Sequence, residues 1–474
     1  MSDYLQQYLR PLAQQNYLQR SFEEALVPQV MFLACAPAQR MEPGSGGSMT
    51  ATVPGNLAID LNSVIPGEDA KTQTNSYEWY ICNVEQRSGS QKIPMNQASL
   101  TATGGRGFWI QKMRELAIQC GTTLNLLARN ELYKAYLQGN TMTFAATANA
   151  TSVYLVSGNG FRDRVVAAKV APLSSTVTRT VYIDGQERTA TGWTPLIAEW
   201  PDGPGILTVS ANVTVAANRP VLDKNRSIII RPSSTPFDQL QANDIATMSL
   251  FRRAVADLEN DGVQAMEDGY FHCHISPHVS DQLMSDNEYQ RMYEGAPEKF
   301  MKDGALGVIG KMKFFSNNQT PQPGDYNSPN PYAVGGIVLP VASSRNTLLD
   351  RWYYGELYNT LGTQIQRSIV IGRGTIKTRF EDESAMMLAE ASAPIGSPTT
   401  FAVVGNTLQM MAGSQNLGNV RITVRPPIDK LGQVTDITWS TTRGFAVTSN
   451  LLSGQSNAQN KRAKVIETGF APSG

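Results

Sequence analysis

The sequence predicts an α+β fold, and three observations predict it. From Phe108 to Leu137 apolar residues recur three and four apart, at Ile110, Met113, Ala117, Cys120, Leu124 and Leu127, which is the period of one buried helical face. Elsewhere β-type runs stand between turn dipeptides, most clearly Val177–Ile183 ahead of Asp184-Gly185, a strong hairpin signal. The two kinds of segment do not alternate in the regular β-α order of a nucleotide-binding sheet.

Length and composition bound the rest. A chain of 474 residues exceeds one compact core and implies two to four structural units at roughly 100–200 residues each. Charged residues are 17% of the chain, below the ~25% of ordinary soluble domains, so self-repulsion is weak and close packing of many copies is favoured. A secreted β-rich protein would share that composition. Lys plus Arg and Asp plus Glu are 40 each, which removes any global attraction for nucleic acid or an anionic membrane; a DNA contact would be local. Cys35, Cys82, Cys120 and Cys273 are far apart and form no C-x-x-C pair, so buried free thiols in a reducing compartment are expected, not a zinc ribbon or disulfide framework. The start, Met1-Ser-Asp-Tyr-Leu, lacks a signal-peptide pattern, and Val30–Ala36 is too short to span a membrane, so cytoplasmic synthesis and folding are expected.

Taken in order, residues 1–40 offer apolar anchors such as Tyr4, Leu9, Leu18 and Phe22 without enough neighbours to close a domain. They fit an arm lying on another subunit, or an N-terminal helix packed on its own chain. Helical stretches are expected at Asp3–Leu9 and Ser21–Val27. Residues 41–100 are rich in turns, with short β runs at Asn56–Leu61 and Tyr77–Val84, and predict a two-stranded excursion that needs a partner to cover it. Gly104-Gly105-Arg106-Gly107 is expected to be a hinge before the long helix, which Gly121 and two threonines weaken midway and Gly139 stops. Residues 150–235 predict a small β-rich insertion.

A helix follows with Asn243 or Asp244 as N-cap, Ile245, Met248, Val255 and Leu258 on its buried face, and Gly262 as its stop. Strands are expected at Gly335–Val341, Ser368–Gly372, Val420–Val424, Val434–Trp439, Gly444–Val447 and Ala463–Ile466, with a helix near Leu348–Leu361.

All three histidines fall in one segment. In FHCH, alternate residues share a strand face, so His272 and His274 could join His278 of the next turn around one metal, the sharpest enzymatic reading available. Cys273 would face the other way, and no H-E-x-x-H placement accompanies it. The glycines of Gly304–Lys311 lack the Walker spacing and the Ser or Thr after Lys, since Met312 follows, and so predict a tight turn. Glu381-Asp382-Glu383 is expected as a solvated acidic turn, and Lys461-Arg462-Ala463-Lys464, the densest basic patch, as a solvated strand end.

Gly269–Phe315 carries a resemblance. A β stretch with His274 ends at Pro277, a polar amphipathic segment carries Asp281 and Leu283, and Gly304, Gly307 and Gly310 space the run into Lys311-Met-Lys-Phe-Phe315. That order resembles the central domain of tailed-bacteriophage major capsid (head) proteins, particularly the lineage of phages similar to coliphage N-four. The spacing departs where His274 and Pro277 are not adjacent and where the last two glycines stand three apart.

The resemblance implies the tailed-phage major capsid fold (Hong-Kong-ninety-seven-like). It would comprise an N-terminal arm at 1–40, an extended β loop at 41–100 and a peripheral domain with a spine helix at 101–150. A β-rich insertion at 151–235, a central (axial) domain at 236–424 and returning C-terminal strands at 425–474 would complete it. It implies a structural, non-enzymatic protein without catalytic, cofactor or metal residues, located in the virion and assembled in the host cytoplasm. The implied partners are further copies of itself as hexamers and pentamers, a decoration or scaffolding protein, a portal, and packaged double-stranded DNA held non-specifically, with no membrane. Two rivals remain at this stage: another virion component, of a decoration or tail kind, and a metal-dependent hydrolase using His272, His274 and His278.

Overall fold

A computed structural model describes residues 17–26, 31–41, 48–54, 77–94, 104–166, 169–196, 198, 203–217, 219–224, 229–232, 240–294, 307–317, 333–334, 337–338, 363–381, 401–404, 407–414, 418–425, 434–447 and 462–470. The described residues begin with helices α1 (Tyr17–Leu26) and α2 (Met31–Ala34) and strands β1 (Ala38–Met41), β2 (Ser48–Pro54), β3 (Tyr77–Asn83) and β4 (Glu85–Pro94). Helix α3 (Gly104–Tyr136) leads into β5 (Asn140–Met142), β6 (Thr147–Leu155), β7 (Asp163–Val166), β8 (Lys169–Pro172) and β9 (Arg179–Ile183). Next come β10 (Gln186–Pro195), β11 (Gly205–Val215), β12 (Pro220–Asp223), β13 (Ile229–Ile230), α4 (Met248–Asn260) and β14 (Phe271–Ile275). Helices α5 (Pro277–Met284) and α6 (Asn287–Glu294) precede β15 (Val308–Ile309), β16 (Met312–Ser316), β17 (Ala333–Val334), β18 (Ile337–Val338) and β19 (Gln364–Ile371). The last strands are β20 (Ile376–Glu381), β21 (Phe401–Val404), β22 (Thr407–Ser414), β23 (Gly418–Arg425), β24 (Val434–Val447) and β25 (Ala463–Phe470). The fold class is α+β, as expected from the sequence.

The chain forms two compact units, each assembled from distant stretches. The first comprises 1–49, 81–131 and 376–447. Its seven-stranded sheet runs β1-β20-β24-β23-β22-β21, with β4 also paired to β24. Helix α3, about 50 Å long at 1.5 Å per residue, meets it where Gln91 of β4 donates to Glu115 at 3.2 Å, and it buries Met113, Leu116, Ala117, Cys120 and Leu124, all at most 1% exposed. The glycines at 104–107, expected as a hinge, are instead the first turn of this helix. It also continues through Gly121-Thr-Thr, where the Thr123 hydroxyl donates to the Gln119 carbonyl at 2.7 Å and packing outweighs weak propensity.

The side chain of Asn125, buried on that helix, accepts from the backbone N–H of Phe32 (2.7 Å) and Leu33 (3.2 Å), two donors a helix start leaves open. From Tyr17 onward the N-terminal stretch therefore folds on its own chain, with Leu18, Phe22 and Leu26 buried. The helix expected at Asp3–Leu9 lies outside the described residues.

β2 and β3 pair as a two-stranded ribbon, matching the expected excursion, whereas β4 leaves it to join the large sheet. The run Asn56–Leu61 lies outside the described residues. Val434–Trp439 and Gly444–Val447, expected as two strands, are one, because β24 pairs with β4 and β23 along its first part and with β20 along its last.

The second unit comprises 50–80, 132–375 and 448–474. One of its sheets closes into a barrel. The sheet runs β5-β12-β9-β10-β11-β6, and a bridge from Thr143 to Leu155, with Val156 N–H donating to the Met142 carbonyl (3.0 Å), joins last strand to first. Closure removes the edges that an open sheet would present. Val153, Leu155, Val181, Ile183, Leu207, Val209 and Val221 fill it. Asp184-Gly185 makes the two-residue turn between β9 and β10, both with positive φ (+47° and +79°), as the sequence predicts.

The second sheet of this unit is mixed, in order β13-β25-β19-β14-β16-β15. Helix α4 covers it, burying Met248, Phe251, Ala254, Val255 and Leu258 against Phe271, Cys273, Phe314 and Val370; the Phe251 and Phe314 rings meet edge-on at 5.4 Å. The expected N-cap at Asn243 or Asp244 is corrected to Thr247, and Ile245 is 39% exposed. The reason is local: Asp244 accepts from the Gln241 N–H at 2.8 Å, holding a turn, and the Asp286 carboxylate takes the Met248 N–H at 2.7 Å in place of a cap. Of Gly335–Val341, Ile337–Val338 are described and form strand β18, paired with Ala333–Val334 of β17; the rest of that stretch lies outside the described residues. The helix expected at Leu348–Leu361 lies outside the described residues.

Candidate functional site: the histidine segment

β14 sits between β19, antiparallel, and β16, parallel, so His272 pairs with Lys313 and His274 with Phe315. The parallel pair requires a crossover, and α5 and α6 belong to it. Helix α5 begins where the sequence says it must: Ser276 is its N-cap, Pro277 its first residue, and the Ser276 hydroxyl accepts from Val279 N–H at 3.2 Å while donating to Gln366 Oε1 at 2.8 Å. Asp281 faces out of this helix and Leu283 is fully buried.

His272 and His274 share a strand face, and both rings lie against Phe315, at 4.9 and 5.3 Å. Cys273 points the other way into the core, where burial pushes its thiol well above the usual range. His274 is 1% exposed and stacked on Phe315; burial, reinforced by His272, drives its pKa down to about 3, so the ring is neutral. His272 Nε2 is 2.9 Å from Asp268 Oδ2, and Lys313 Nζ is 3.0 Å from the same oxygen. Burial works against the charge on Asp268, but these two partners outweigh it and bring its pKa to about 2.

The ring nitrogens of His272 and His274 approach within 4.8 Å, and the three histidines do not converge at that distance. His278 stands in the first turn of α5 with its ring 4.3 Å from Phe470. Within this unit no further His, Cys, Asp or Glu among the described residues joins both nitrogens. Two imidazoles from one strand, one buried and neutral, make half of a zinc ligand set.

The remaining sequence candidates are absorbed by structure. Gly310 (φ +60°) shapes the tight turn between β15 and β16, as expected, and Gly307 (φ +68°) stands just before β15, its carbonyl accepting from Phe314 N–H at 3.1 Å; Gly304 lies outside the described residues. Lys464, expected to be solvated, is 9% exposed and bonded to Asp261 at 2.9 Å, because β25 runs through the middle of the sheet. The Arg462 carbonyl accepts from Gly372 N–H (2.8 Å) and the Thr375 hydroxyl (2.9 Å). Glu381 ends β20; Asp382 and Glu383 lie outside the described residues. All four cysteines are free and buried. Among the described residues no helix is long and apolar enough to cross a membrane.

Sequence reasoning missed Asp268 and Glu467. Asp268 carried one signal, its position four residues before His272 and beside Gly269. Glu467 carried none, since its partners Arg231 and Arg367 are 236 and 100 residues away.

No protein-family model and no curated protein match the chain. Among solved structures it is similar to the capsid asymmetric unit of cyanophage Pam1, at 10% identity and a TM-score of 0.46, over 95% of this chain and 93% of that one. It is also similar to the capsid of Ralstonia phage GP4 (12%, 0.43, 94% and 93%) and the capsid of cyanophage P-SCSP1u (12%, 0.42, 94% and 89%).

Proposed function

We propose that this chain is a structural capsid protein of a tailed phage, whose copies close a shell around double-stranded DNA as hexamers and pentamers. One observation carries the reading. The two-stranded ribbon β2–β3 stands ahead of a 33-residue helix, a β-rich insertion and a helix-covered mixed sheet containing β14, α5 and β16. That is the succession implied by the resemblance at Gly269–Phe315. On this reading the extended loop spans 41–100, the peripheral domain 101–150, the insertion 151–235, the central domain 236–424 and the returning strands 425–474, with 1–40 as an N-terminal arm whose helix Tyr17–Leu26 packs on its own chain.

The role is mechanical. A ribbon of two strands is marginal alone and gains its stability from whatever covers it, here a neighbouring copy. Heterologous contacts of this kind close into rings, and many weak contacts per subunit make the shell persistent. Contact with DNA is non-specific, and the protein is located in the virion. A decoration or scaffolding protein and a portal complete the particle, which is assembled in the host cytoplasm.

The test is to express the chain alone and image it by negative-stain electron microscopy. Closed shells, or rings of five and six subunits, support the reading. Uniform trimers or tubes would replace it with a decoration or tail component. Small particles that bind zinc and lose hydrolytic activity on His272→Ala would replace it with the metal-dependent hydrolase.

A further inference from the structure

The connection from α4 to β14 crosses the ends of four strands. It turns at Gly262 (φ +74°) and again at Gly269 (φ +83°), and a side chain at either position would meet nothing within 4 Å. Both glycines therefore serve backbone conformation, not space. Between them Val263–Asp268 is neither helix nor strand. Only Val263 and Ala265 pack against the core, each partly buried. The backbone ties are few: Gly262 N–H to the Glu259 carbonyl (2.9 Å), Val263 N–H to the Leu258 carbonyl (2.9 Å), Arg373 N–H to the Gln264 carbonyl (2.9 Å), and Gly269 N–H to the Met266 carbonyl with Met266 N–H to that of Tyr270.

Charge supplies the rest of the fastening. In sheet order, Asp261 meets Lys464 of β25 (2.9 Å), Glu267 meets Arg373 just past β19 (3.6 Å), and Asp268 meets His272 of β14 and Lys313 of β16. Glu259, in the last turn of α4, meets Lys311 in the turn before β16 (2.6 Å). Each of four adjacent strands is thus held by a carboxylate from one short segment.

We propose that Gly262–Gly269 is a hinged strap, latched to the strand ends by Glu267 and Asp268 and anchored at its first hinge by the pairs of Glu259 and Asp261, that opens as a local unit while the sheet beneath stays folded. The strap has little buried apolar surface and its own pairs reach solvent: the side chains of Glu267 and Arg373 are 87% and 57% accessible and those of Asp268 and Lys313 32% and 39%, whereas Asp261 and Lys464, at the hinge, are 26% and 9%. Such pairs are individually weak and are screened by salt, whereas β14, β19 and β25 are held by a closed hydrophobic core. Opening lifts Val263 off Gly372, to which it is tightly packed, and frees the Arg373 N–H at the end of β19. The device is independent of the shell reading and would operate in a single subunit.

Hydrogen exchange of the full-length chain, read by mass spectrometry at low salt and at about 0.5 M salt, tests it. The expected result is that amides of 263–270 exchange about fivefold faster at high salt, and faster again in Asp268→Asn, with β14, β19 and β25 unchanged. Strap amides that exchange together with those three strands, or that respond to neither salt nor Asp268→Asn, would overturn the proposal. Lys313→Gln gives a second variant that leaves the Asp268–His272 bond in place, and the salt series needs no variant.

Discussion

Arg367 and Glu467 stand directly opposite each other on β19 and β25, with Arg367 Nε 2.9 Å from Glu467 Oε1 and both side chains at most 3% exposed. Arg231, just beyond the edge strand β13, reaches the other oxygen of the same carboxylate at 2.8 Å. Strand β13 has only two paired residues, so this carboxylate adds a third tie between it and the sheet. Burial alone would raise the pKa of Glu467; the two guanidiniums outweigh it and hold the carboxyl below its usual range.

Glu467→Gln leaves two guanidiniums around an uncharged group, one of them fully buried, and should cost about 3–5 kcal/mol, read as a lower urea midpoint. Because the folded-state pKa is depressed, the stability supplied by Glu467 is fully present above the ordinary carboxylate range and is lost as pH falls through and below it. The variant should therefore lose less stability than the parent on going to strong acid. Equal stability of the two at neutral pH would refute the buried-triad account.

Gly89 lies opposite Trp439 on β4 and β24, and a Cβ there would stand 2.5 Å from the indole nitrogen and 3.1 Å from the Gln119 side chain on α3. The glycine makes room for the largest fully buried side chain between sheet and helix. Gly89→Val should destabilise by about 1–3 kcal/mol through overpacking, with a shift in tryptophan fluorescence as the indole is displaced. An unchanged denaturation midpoint would show that the helix yields without cost.

The parts legible in the sequence were those whose signal is local. The period of α3, the Asp184-Gly185 turn, the Ser276-Pro277 helix start and the alternation of His272 and His274 each depend on a few adjacent residues. What was not legible depends on partners far along the chain. The N-cap expected at Asp244 failed because the Gln241 N–H occupies its carboxylate, while Gln282 Oε1 and the Asp286 carboxylate take the N–H groups of Ala246 and Met248. Closure of the barrel rests on Thr143 meeting Leu155 at the end of a six-strand circuit, and no local pattern announces it. Lys464 looked solvated because a basic run usually is, and only the sheet order shows β25 to be an inner strand.

The four thiols should be inert in the folded protein. Burial pushes Cys82 up to about 11 against the opposing charge of Arg379, and Cys120 up to about 12 against that of Arg443. At pH 8 almost none of either is thiolate. A disulfide reagent should label essentially no cysteine in native protein within minutes and four per chain in denaturant. Fast native labelling of Cys82 would mean that the stretch joining β3 to β4 opens readily.

His274 gives the chain a pH dependence that the carboxylates do not. Its ring is buried and stacked on Phe315, and with a folded-state pKa near about 3 it binds no proton where an unfolded histidine already does. A depressed value means that its contribution is complete above the unfolded pKa of roughly 6.5 and declines as pH falls from there toward 3. One proton taken up only by the unfolded chain costs about 1.4 kcal/mol per pH unit, so stability should drop by about 2 kcal/mol between pH 7 and 5. Glu467 stays charged across that window, which separates the two effects. Urea denaturation at both pH values should show His274→Gln with a much flatter dependence than the parent, whatever its absolute stability. An identical slope in the two proteins would assign the effect to another group and make the buried, neutral state of His274 untenable.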